Sequence, residues 1–292
     1  MLLHKYYRYI ANLSYFLLIF ASNINLITKR MYKNLKLVQR ILSSFYQVNS
    51  NPLFILGNPK SGTTIIAKLL SKATKKSLTS DIRSITKYSP LLIEFKLISF
   101  KGFIQQHNYE FSKDIIKEPS LSFFTDDLIE LYPNSKFIWI ARNPFQNIRS
   151  ILNRLKIPGN LKDIDFENYI ELQKNPAWKL NLQSKMFGYK SHNYIEALAY
   201  RWNHAFNIYL KNKEKIILVK YEDFLIDKSA FIEKIALQIG LTIKQDISKY
   251  VDIQYQPKGN TNVNLKDFFG DKNYSIIEKI CQENMTRLGY SK

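Results

Sequence analysis

The stretch PLFILGNPKSGTT, at residues 52–64, constrains the fold more than any other part of the chain. Its apolar part, residues 53–56, is rich in strand formers, and a Gly-Asn-Pro turn follows it. Apolar residues then recur at helical spacing. The sequence therefore predicts a strand, a tight loop and a helix. A glycine-bearing loop at a helix start presents backbone N–H groups and the positive end of the helix dipole, which together bind phosphate.

This loop differs from the common phosphate loop G-x-x-x-x-G-K-[ST]. Gly57 and Gly62 have the expected spacing, but Thr63 stands where the lysine is expected, and the lysine lies inside the loop as Lys60. A plain structural turn is the alternative interpretation. The unusual run Pro-Lys-Ser-Gly-Thr-Thr favours a phosphate site.

Composition sets the size of the core and the classes of partner. The chain has 292 residues, 46% of them hydrophobic, which suffices for one large core or two small ones. Lysine and arginine number 43 against 24 acidic residues, a formal net charge of +19. Because these charges are spread along the chain without a dense basic block, we expect no nucleic-acid partner.

The cysteine and histidine residues indicate the redox compartment and whether a metal site is expected. Cys281 is the single cysteine, so an intrachain disulfide is impossible, which favours a reducing, cytoplasmic compartment. It lies in an apolar helical pattern and is predicted to be a core residue. The four histidines are not paired at metal-ligand spacing, so we expect no metal site.

The N-terminal region forms a separate predicted unit. Residues 9–28 carry no charge and could span a bilayer, but asparagines and serines dilute their apolar character. A helix packed on the domain, an interfacial membrane helix and a true anchor all stay open. Residues 31–48 continue as a basic amphipathic helix, so 1–48 can contact a membrane surface. We predict a helical extension over 1–49 and one main domain over 50–292.

Strands alternate with helices in the main domain. Predicted strands cover 136–141 and 216–220, and predicted helices cover 121–132, 144–156, 194–212, 229–239 and 275–288. This alternation predicts an α/β fold with a parallel central sheet flanked by helices.

A second anion-binding position follows the strand at 136–141. Arg142 ends this strand, Asn143 is a suitable N-cap for the next helix, and Ser150 lies two turns along it. Parallel strands end at one edge of a sheet, so Arg142 and the Lys60 loop should lie close together. Two such sites fit a nucleotide with phosphates at both ends of its ribose, whereas a surface ion pair is the alternative for Arg142.

These residues resemble a known family. The run at 59–64 resembles the 5′-phosphosulfate loop of sulfotransferases that use 3′-phosphoadenosine 5′-phosphosulfate (PAPS), and residues 137–150 resemble their 3′-phosphate motif. Residues 219–224 resemble the landmark whose tyrosine, here Tyr221, lies near the adenine, and 117–119 resemble the family's Lys-x-Pro. The resemblance implies a P-loop-NTPase-like sulfotransferase fold of the bacterial, carbohydrate or tyrosylprotein-like branch.

The resemblance also implies roles for individual residues. Lys60 would contact the oxygen that bridges phosphate and sulfate, and Arg142 with Ser150 would bind the 3′-phosphate. The 5′-phosphate would be bound by Ser61, Gly62, Thr63 and Thr64. The chain departs from the small-molecule enzymes in two respects: residues 257–259 read Pro-Lys-Gly rather than Arg-Lys-Gly, and the catalytic histidine has no clear counterpart.

A transferring enzyme needs a base for the acceptor hydroxyl. Asp81 is our candidate, because the run at 79–83 resembles the Glu-x-Arg stretch of tyrosylprotein sulfotransferases. A helix cap or an exposed acid is the alternative for Asp81. Glu118 and His107 are the other candidates for the base.

The predicted function is metal-independent, in-line transfer of a sulfuryl group from PAPS to a glycan or lipid hydroxyl. Positioned cations can replace Mg²⁺ because a sulfuryl group carries less charge than a phosphoryl group. A P-loop-type phosphotransferase or ATPase and a non-catalytic nucleotide-binding protein are the alternatives. The segments expected to select the acceptor, 91–108 and 158–190, have no recognisable pattern.

Overall fold

A computed structural model describes residues 44–82, 98–164, 182, 184, 187–253 and 263–290. They form a five-stranded sheet in which all paired strands are parallel, in the order β2-β3-β1-β4-β5. The strands are β1 (Leu53–Leu56), β2 (Leu78–Thr79), β3 (Ile115–Lys117), β4 (Lys136–Ala141) and β5 (Ile216–Lys220). The predicted α/β fold with a parallel central sheet is confirmed.

Helices connect these strands and cover the sheet. They are α1 (Thr63–Thr74), α2 (Phe100–Gln106), α3 (Asn108–Phe111), α4 (Thr125–Leu131), α5 (Pro144–Leu155), α6 (Tyr194–Lys211), α7 (Tyr221–Ile226), α8 (Lys228–Gln238) and α9 (Leu265–Arg287). Short 3₁₀ helices cover Pro119–Phe124 and Lys213–Lys215.

The central strand β1 is buried on both faces, as expected for a parallel sheet covered by helices. Ile55 and Ile138 pack on one face with residues of α1 and α8. Phe54 and Trp139 pack on the other face with residues of α2 and the 3₁₀ helix. A further apolar cluster joins α5, α6 and α9, and it contains the predicted core residue Cys281. The sheet is therefore a rigid base, and the carboxyl ends of its strands share one edge.

Two predicted helices differ from the structure. The segment 121–132 is a 3₁₀ helix followed by α4, because Glu118 caps a turn that begins at Pro119. The helix predicted over 275–288 already begins at Leu265, with a kink at Gly270, where φ is +67°. Glycine alone adopts this left-handed backbone without strain, so it accommodates the kink.

Several N-terminal predictions lie outside the described residues. These are the uncharged segment 9–28 and most of 31–48, whose described end is helical only to Phe45 rather than to residue 48. The 257–259 loop is also outside. Over the stretches that the structure describes, no helix combines the length and apolar character needed to cross a bilayer.

Candidate active site

The phosphate loop joins β1 to α1 and depends on two glycines. Gly57, with φ of +142°, donates its N–H to the Ser122 hydroxyl (2.8 Å), which in turn donates to the Gly57 carbonyl (3.0 Å). Gly62, with φ of +92°, is the N-cap of α1. A Cβ at Gly62 would lie 2.1 Å from a carbon of the Tyr221 ring, so a larger residue cannot fit without displacing that ring.

The Asn147 side chain, in α5, holds the phosphate loop by hydrogen bonds. Its Nδ2 donates to the Pro59 carbonyl (2.9 Å) and to the Ser61 hydroxyl (3.1 Å), and its Oδ1 accepts from Asn58 Nδ2 (2.8 Å). Asn147 is fully buried. Asn147 had no predicted role, although an asparagine one turn after the N-cap Asn143, on the polar stripe of the predicted helix, is a signal that could have found it.

The phosphate loop places backbone N–H groups at the start of α1. The first N–H groups of any α-helix have no intrahelical acceptor, and the helix dipole makes that end positive. The Ser61 and Thr63 side chains are buried, and the Ser61 hydroxyl already accepts from Asn147. Thr64 is partly exposed. Accepting the bond from Asn147 leaves the Ser61 O–H as a donor, whereas the Ser61 N–H already donates to the Asn58 carbonyl (3.1 Å). The donors available to an anion are therefore the Ser61 hydroxyl and the N–H groups of Gly62, Thr63 and Thr64.

Lys60 and Arg142 lie side by side, as the shared strand edge predicts. The Arg142 guanidinium donates to the Lys60 carbonyl (2.8 Å), and its Cζ lies 4.8 Å from the centre of the Tyr221 ring. Lys60 adopts a left-handed backbone with φ of +68°, which is strained for a non-glycine residue. The two cations and the ring thus form one continuous surface over the tips of β1, β4 and β5.

Positive charge accumulates at this surface. Burial first, and then the charges of three neighbours, lower the pKa of Lys60 to about 8. Those neighbours are Arg154, Arg142 and Lys117. Burial also lowers the pKa of Arg142. A lysine whose ionisation is opposed by burial and by neighbouring cations is stabilised by a bound anion, so this surface is an electrostatic site for a polyanion.

Ser150 lies on the same stripe of α5 as Asn147 and Arg154. Residues spaced by three or four positions share one face of a helix. Asn147 touches the phosphate loop, and the charge of Arg154 acts on Lys60. The stripe therefore faces the loop, and Ser150 is partly buried between them.

The loops after β4 and β5 are tied together. The Asn143 N–H donates to one oxygen of Glu222 (3.0 Å), and the Tyr290 hydroxyl donates to the other (2.7 Å). The Asn143 side chain caps α5 by accepting from two backbone N–H groups, as predicted. The Trp202 indole donates to the Arg142 carbonyl (2.9 Å). These bonds fix Arg142 at its strand tip.

Two of the three candidate bases, Asp81 and Glu118, follow the tips of β2 and β3. Asp81 forms an ion pair with Lys117 at 2.6 Å, with 29% of the Asp81 side chain exposed and 3% of the Lys117 side chain. Since the Lys117 charge also acts on Lys60, Asp81 lies on the same edge as the phosphate loop. The two other candidates are placed differently.

Both other candidates are buried. Glu118 accepts from the backbone N–H groups of Ile82 and Ser120, each at 3.0 Å, and burial raises its pKa. His107 is fully buried, its Nδ1 donates to the Phe103 carbonyl (2.8 Å), and burial lowers its pKa. These contacts are those of structural residues, which leaves Asp81 as the best-placed candidate of the three.

The comparison with protein families decides what kind of protein this is. A family model described as "Sulfotransferase family" matches residues 72–245, which is more than half of the chain. The chain belongs to the sulfotransferase family. The matched stretch of this sulfotransferase contains Asp81, Arg142, Ser150 and Tyr221, whereas the phosphate loop with Lys60 precedes it.

Several solved structures are similar to this sulfotransferase. A sulfotransferase from Alicyclobacillus acidocaldarius is 14% identical, with a TM-score of 0.44, and the match covers 80% of this chain and 97% of the Alicyclobacillus chain. The sulfotransferase STF1 from Mycobacterium tuberculosis is 12% identical, with a TM-score of 0.49, and the match covers 90% of this chain and 88% of STF1. The mouse sulfotransferase SULT7A1, complexed with PAP, is 16% identical, with a TM-score of 0.46, and the match covers 84% of this chain and 88% of SULT7A1. No curated protein sequence matches the chain.

The family match confirms the predicted family and the prediction that the protein is an enzyme. It favours the sulfotransferase over both alternatives, the phosphotransferase and the non-catalytic binding protein. The individual site residues remain predictions.

Proposed function

We propose that this sulfotransferase takes its sulfuryl group from PAPS and transfers it to a hydroxyl of a glycan or lipid. One observation carries the proposal: the Arg142 guanidinium donates to the Lys60 carbonyl at 2.8 Å, so two anion-binding positions adjoin. A single nucleotide phosphorylated at both ends of its ribose can reach both. PAP, 3′-phosphoadenosine 5′-phosphate, is a nucleotide of this kind, and it is bound to mouse SULT7A1.

In this proposal, each residue on the nucleotide side has one task. Ser61, Gly62, Thr63 and Thr64 hold the 5′-phosphate through backbone and hydroxyl donors, Arg142 and Ser150 hold the 3′-phosphate, and the Tyr221 ring lies near the adenine. The Lys60 ammonium stabilises the negative charge that develops on the bridging oxygen as the S–O bond breaks. Such preorganised electrostatic stabilisation is worth about 10²–10³-fold in rate per donor.

Asp81 is the proposed general base. As the acceptor oxygen bonds to sulfur, its proton passes to the Asp81 carboxylate, and the products are a sulfate ester, PAP and one proton. The ion pair with Lys117 holds that carboxylate in place. Because Lys60, Arg142, Arg154 and Lys117 already supply positive charge at the site, we propose that turnover needs no divalent cation.

Location and membrane contact are further proposals. The single cysteine favours a cytoplasmic enzyme. The basic residues of the predicted helix at 31–48 suit contact with an anionic membrane surface through residues 1–48.

The deciding experiment incubates the full chain with ³⁵S-labelled PAPS and with glycan and lipid fractions, in the presence and absence of EDTA. We expect label in one acceptor fraction, undiminished by EDTA, and a loss of about 100-fold or more with Lys60→Ala. Lys244→Ala, which removes an exposed lysine far along the chain, is the matched control. Label transfer that persists undiminished in Lys60→Ala would refute the role of Lys60, and abolition by EDTA would refute metal independence.

A further inference from the structure

Arg201, in α6, is a buried cation surrounded by aromatic rings. It is 5% exposed, and its Cζ lies 4.4 Å from the centre of the Phe123 ring and 5.4 Å from that of Phe187. The His204 ring stacks on Phe187 with centres 4.5 Å apart. We call these four residues, Arg201, Phe123, Phe187 and His204, the Arg201 cluster.

The cluster holds a positive charge without a negative partner in the described part of the chain. The Arg201 Nε is buried without a hydrogen-bond partner, and no carboxylate of the described residues forms an ion pair with the guanidinium. Burial lowers the pKa of Arg201 to about 9. An ionised group without a counter-charge in apolar surroundings is costly, and cation–π contacts recover only part of that cost.

Three chain connections link the cluster to the elements of the proposed transfer site. Phe123 directly follows Ser122, whose hydroxyl holds Gly57 of the phosphate loop. Arg201 directly precedes Trp202, whose indole donates to the Arg142 carbonyl. The 3₁₀ helix that carries Phe123 begins two residues after Lys117, the partner of Asp81. The cluster is therefore carried by the same elements that hold the phosphate loop and the Arg142 carbonyl.

We propose that the Arg201 cluster binds an anionic group, a carboxylate or a sulfate, carried on a ring of the acceptor. The guanidinium fork pairs with two oxygens of that group, and Phe123, Phe187 and His204 pack against the ring beside it. Burial and the nearby Arg201 charge lower the pKa of His204, so its imidazole is neutral at pH 7 and can donate a hydrogen bond. This inference rests on the proposed function, because it assumes transfer at the neighbouring loops.

The first test needs no ligand. Arg201→Met keeps a long side chain in the cluster but removes the uncompensated charge, so we expect the unfolding temperature to rise by about 2 °C or more. Arg287→Met, which removes an exposed arginine of α9 paired with Glu283, is the matched control and should not raise it. A lower unfolding temperature for Arg201→Met would mean that Arg201 has its counter-charge within the chain, which overturns the proposal.

The second test measures binding of two matched probes to the PAP-loaded full chain by calorimetry. Phenyl β-D-glucuronide and phenyl β-D-glucoside differ only in a carboxylate against a hydroxymethyl group. We expect the glucuronide to bind at least about tenfold more tightly, the scale of one charged hydrogen bond. Arg201→Met should abolish the preference, and Arg201→Lys should keep part of it.

The outcomes separate the two proposals. Equal binding of the two probes, no binding of either, or an unchanged preference in Arg201→Met overturns the Arg201 cluster as an acceptor site while PAP still binds. Failure of PAP itself to bind the unmodified protein would instead overturn the proposed function.

Discussion

The nucleotide side of the site and the Arg201 cluster hold their arginines in opposite ways. Arg142 donates to the Lys60 carbonyl, lies over Tyr221 and has its own carbonyl bound by Trp202. The Arg201 guanidinium lies against the rings of Phe123 and Phe187 and has no ion pair among the described residues. Arg142 is thus fixed by its neighbours on the nucleotide side, whereas Arg201 is packed but lacks a counter-charge among the described residues.

This difference matches the two substrates of the proposed reaction. A nucleotide common to a whole family can be met by a fixed framework of loops, and preorganisation of that framework favours binding. An acceptor differs from one enzyme to another, and a buried charge without a partner selects for the group that neutralises it. Substitutions on each side can therefore be tested separately.

Asp81→Asn tests where the chemistry lies. If Asp81 is the base, the turnover number falls by about 10²–10⁴-fold, because proton transfer to a positioned side chain contributes that much. PAP affinity should change little. The measurement is the initial rate with saturating PAPS, and Asp246→Asn, a fully exposed carboxylate, is the control. An unchanged turnover number in Asp81→Asn would rule out this assignment.

Gly62→Ala tests the rigidity of the nucleotide side against Gly188→Ala. Both glycines have positive φ, +92° and +82°, but a Cβ at Gly62 meets the Tyr221 ring at 2.1 Å, and one at Gly188 meets nothing within 4 Å. Both variants therefore carry backbone strain, and only Gly62→Ala adds overpacking. We expect it to lower the free energy of unfolding by about 1–3 kcal/mol more than Gly188→Ala does.

Denaturant unfolding and PAP calorimetry check this pair. Gly62→Ala should also weaken PAP binding, since the Tyr221 ring must move, whereas Gly188→Ala should leave it intact. Equal stability of the two variants would show that the loop after β1 is softer than its packing suggests.

The pH dependence tests the charge of Lys60. Its pKa in the folded protein is about 8, below the ordinary 10.5, so the ammonium is lost as the pH rises through about 8. The kcat/KM for PAPS reports the free enzyme and should fall roughly tenfold per pH unit above that value. Lys60→Arg keeps its charge to much higher pH and should remove the fall. A profile that stays flat from pH 8 to 10 in the unmodified enzyme would contradict this role.

Much of the nucleotide side could be predicted from sequence because its elements are local. The strand–loop–helix at residues 52–64, Arg142 at a strand end and the Asn143 cap each depend on neighbours in the chain. Parallel strands then bring the tips of β1 and β4 together. Asn147 was missed because its partners, Pro59 and Ser61, lie far away in the sequence.

The Arg201 cluster could not be predicted for the same reason. Arg201 lies in a long amphipathic helix where an arginine ordinarily faces solvent. Its burial arises only when α6 packs against the 3₁₀ helix that carries Phe123 and the segment that carries Phe187. Local pattern gives no sign of such a contact between distant segments.

Calorimetry with two nucleotides on Arg142→Ala shows whether Arg142 and the Lys60 loop bind opposite ends of one nucleotide. If Arg142 grips the 3′-phosphate while the Lys60 loop grips the 5′-phosphate, PAP should bind about 1.5–3 kcal/mol more weakly, the scale of a hydrogen bond to a charged group. Adenosine 5′-phosphate, which lacks the 3′-phosphate, should lose much less affinity, because for it the substitution removes only the bond from Arg142 to the Lys60 carbonyl. An equal loss for both nucleotides, or no loss for PAP, would contradict the account.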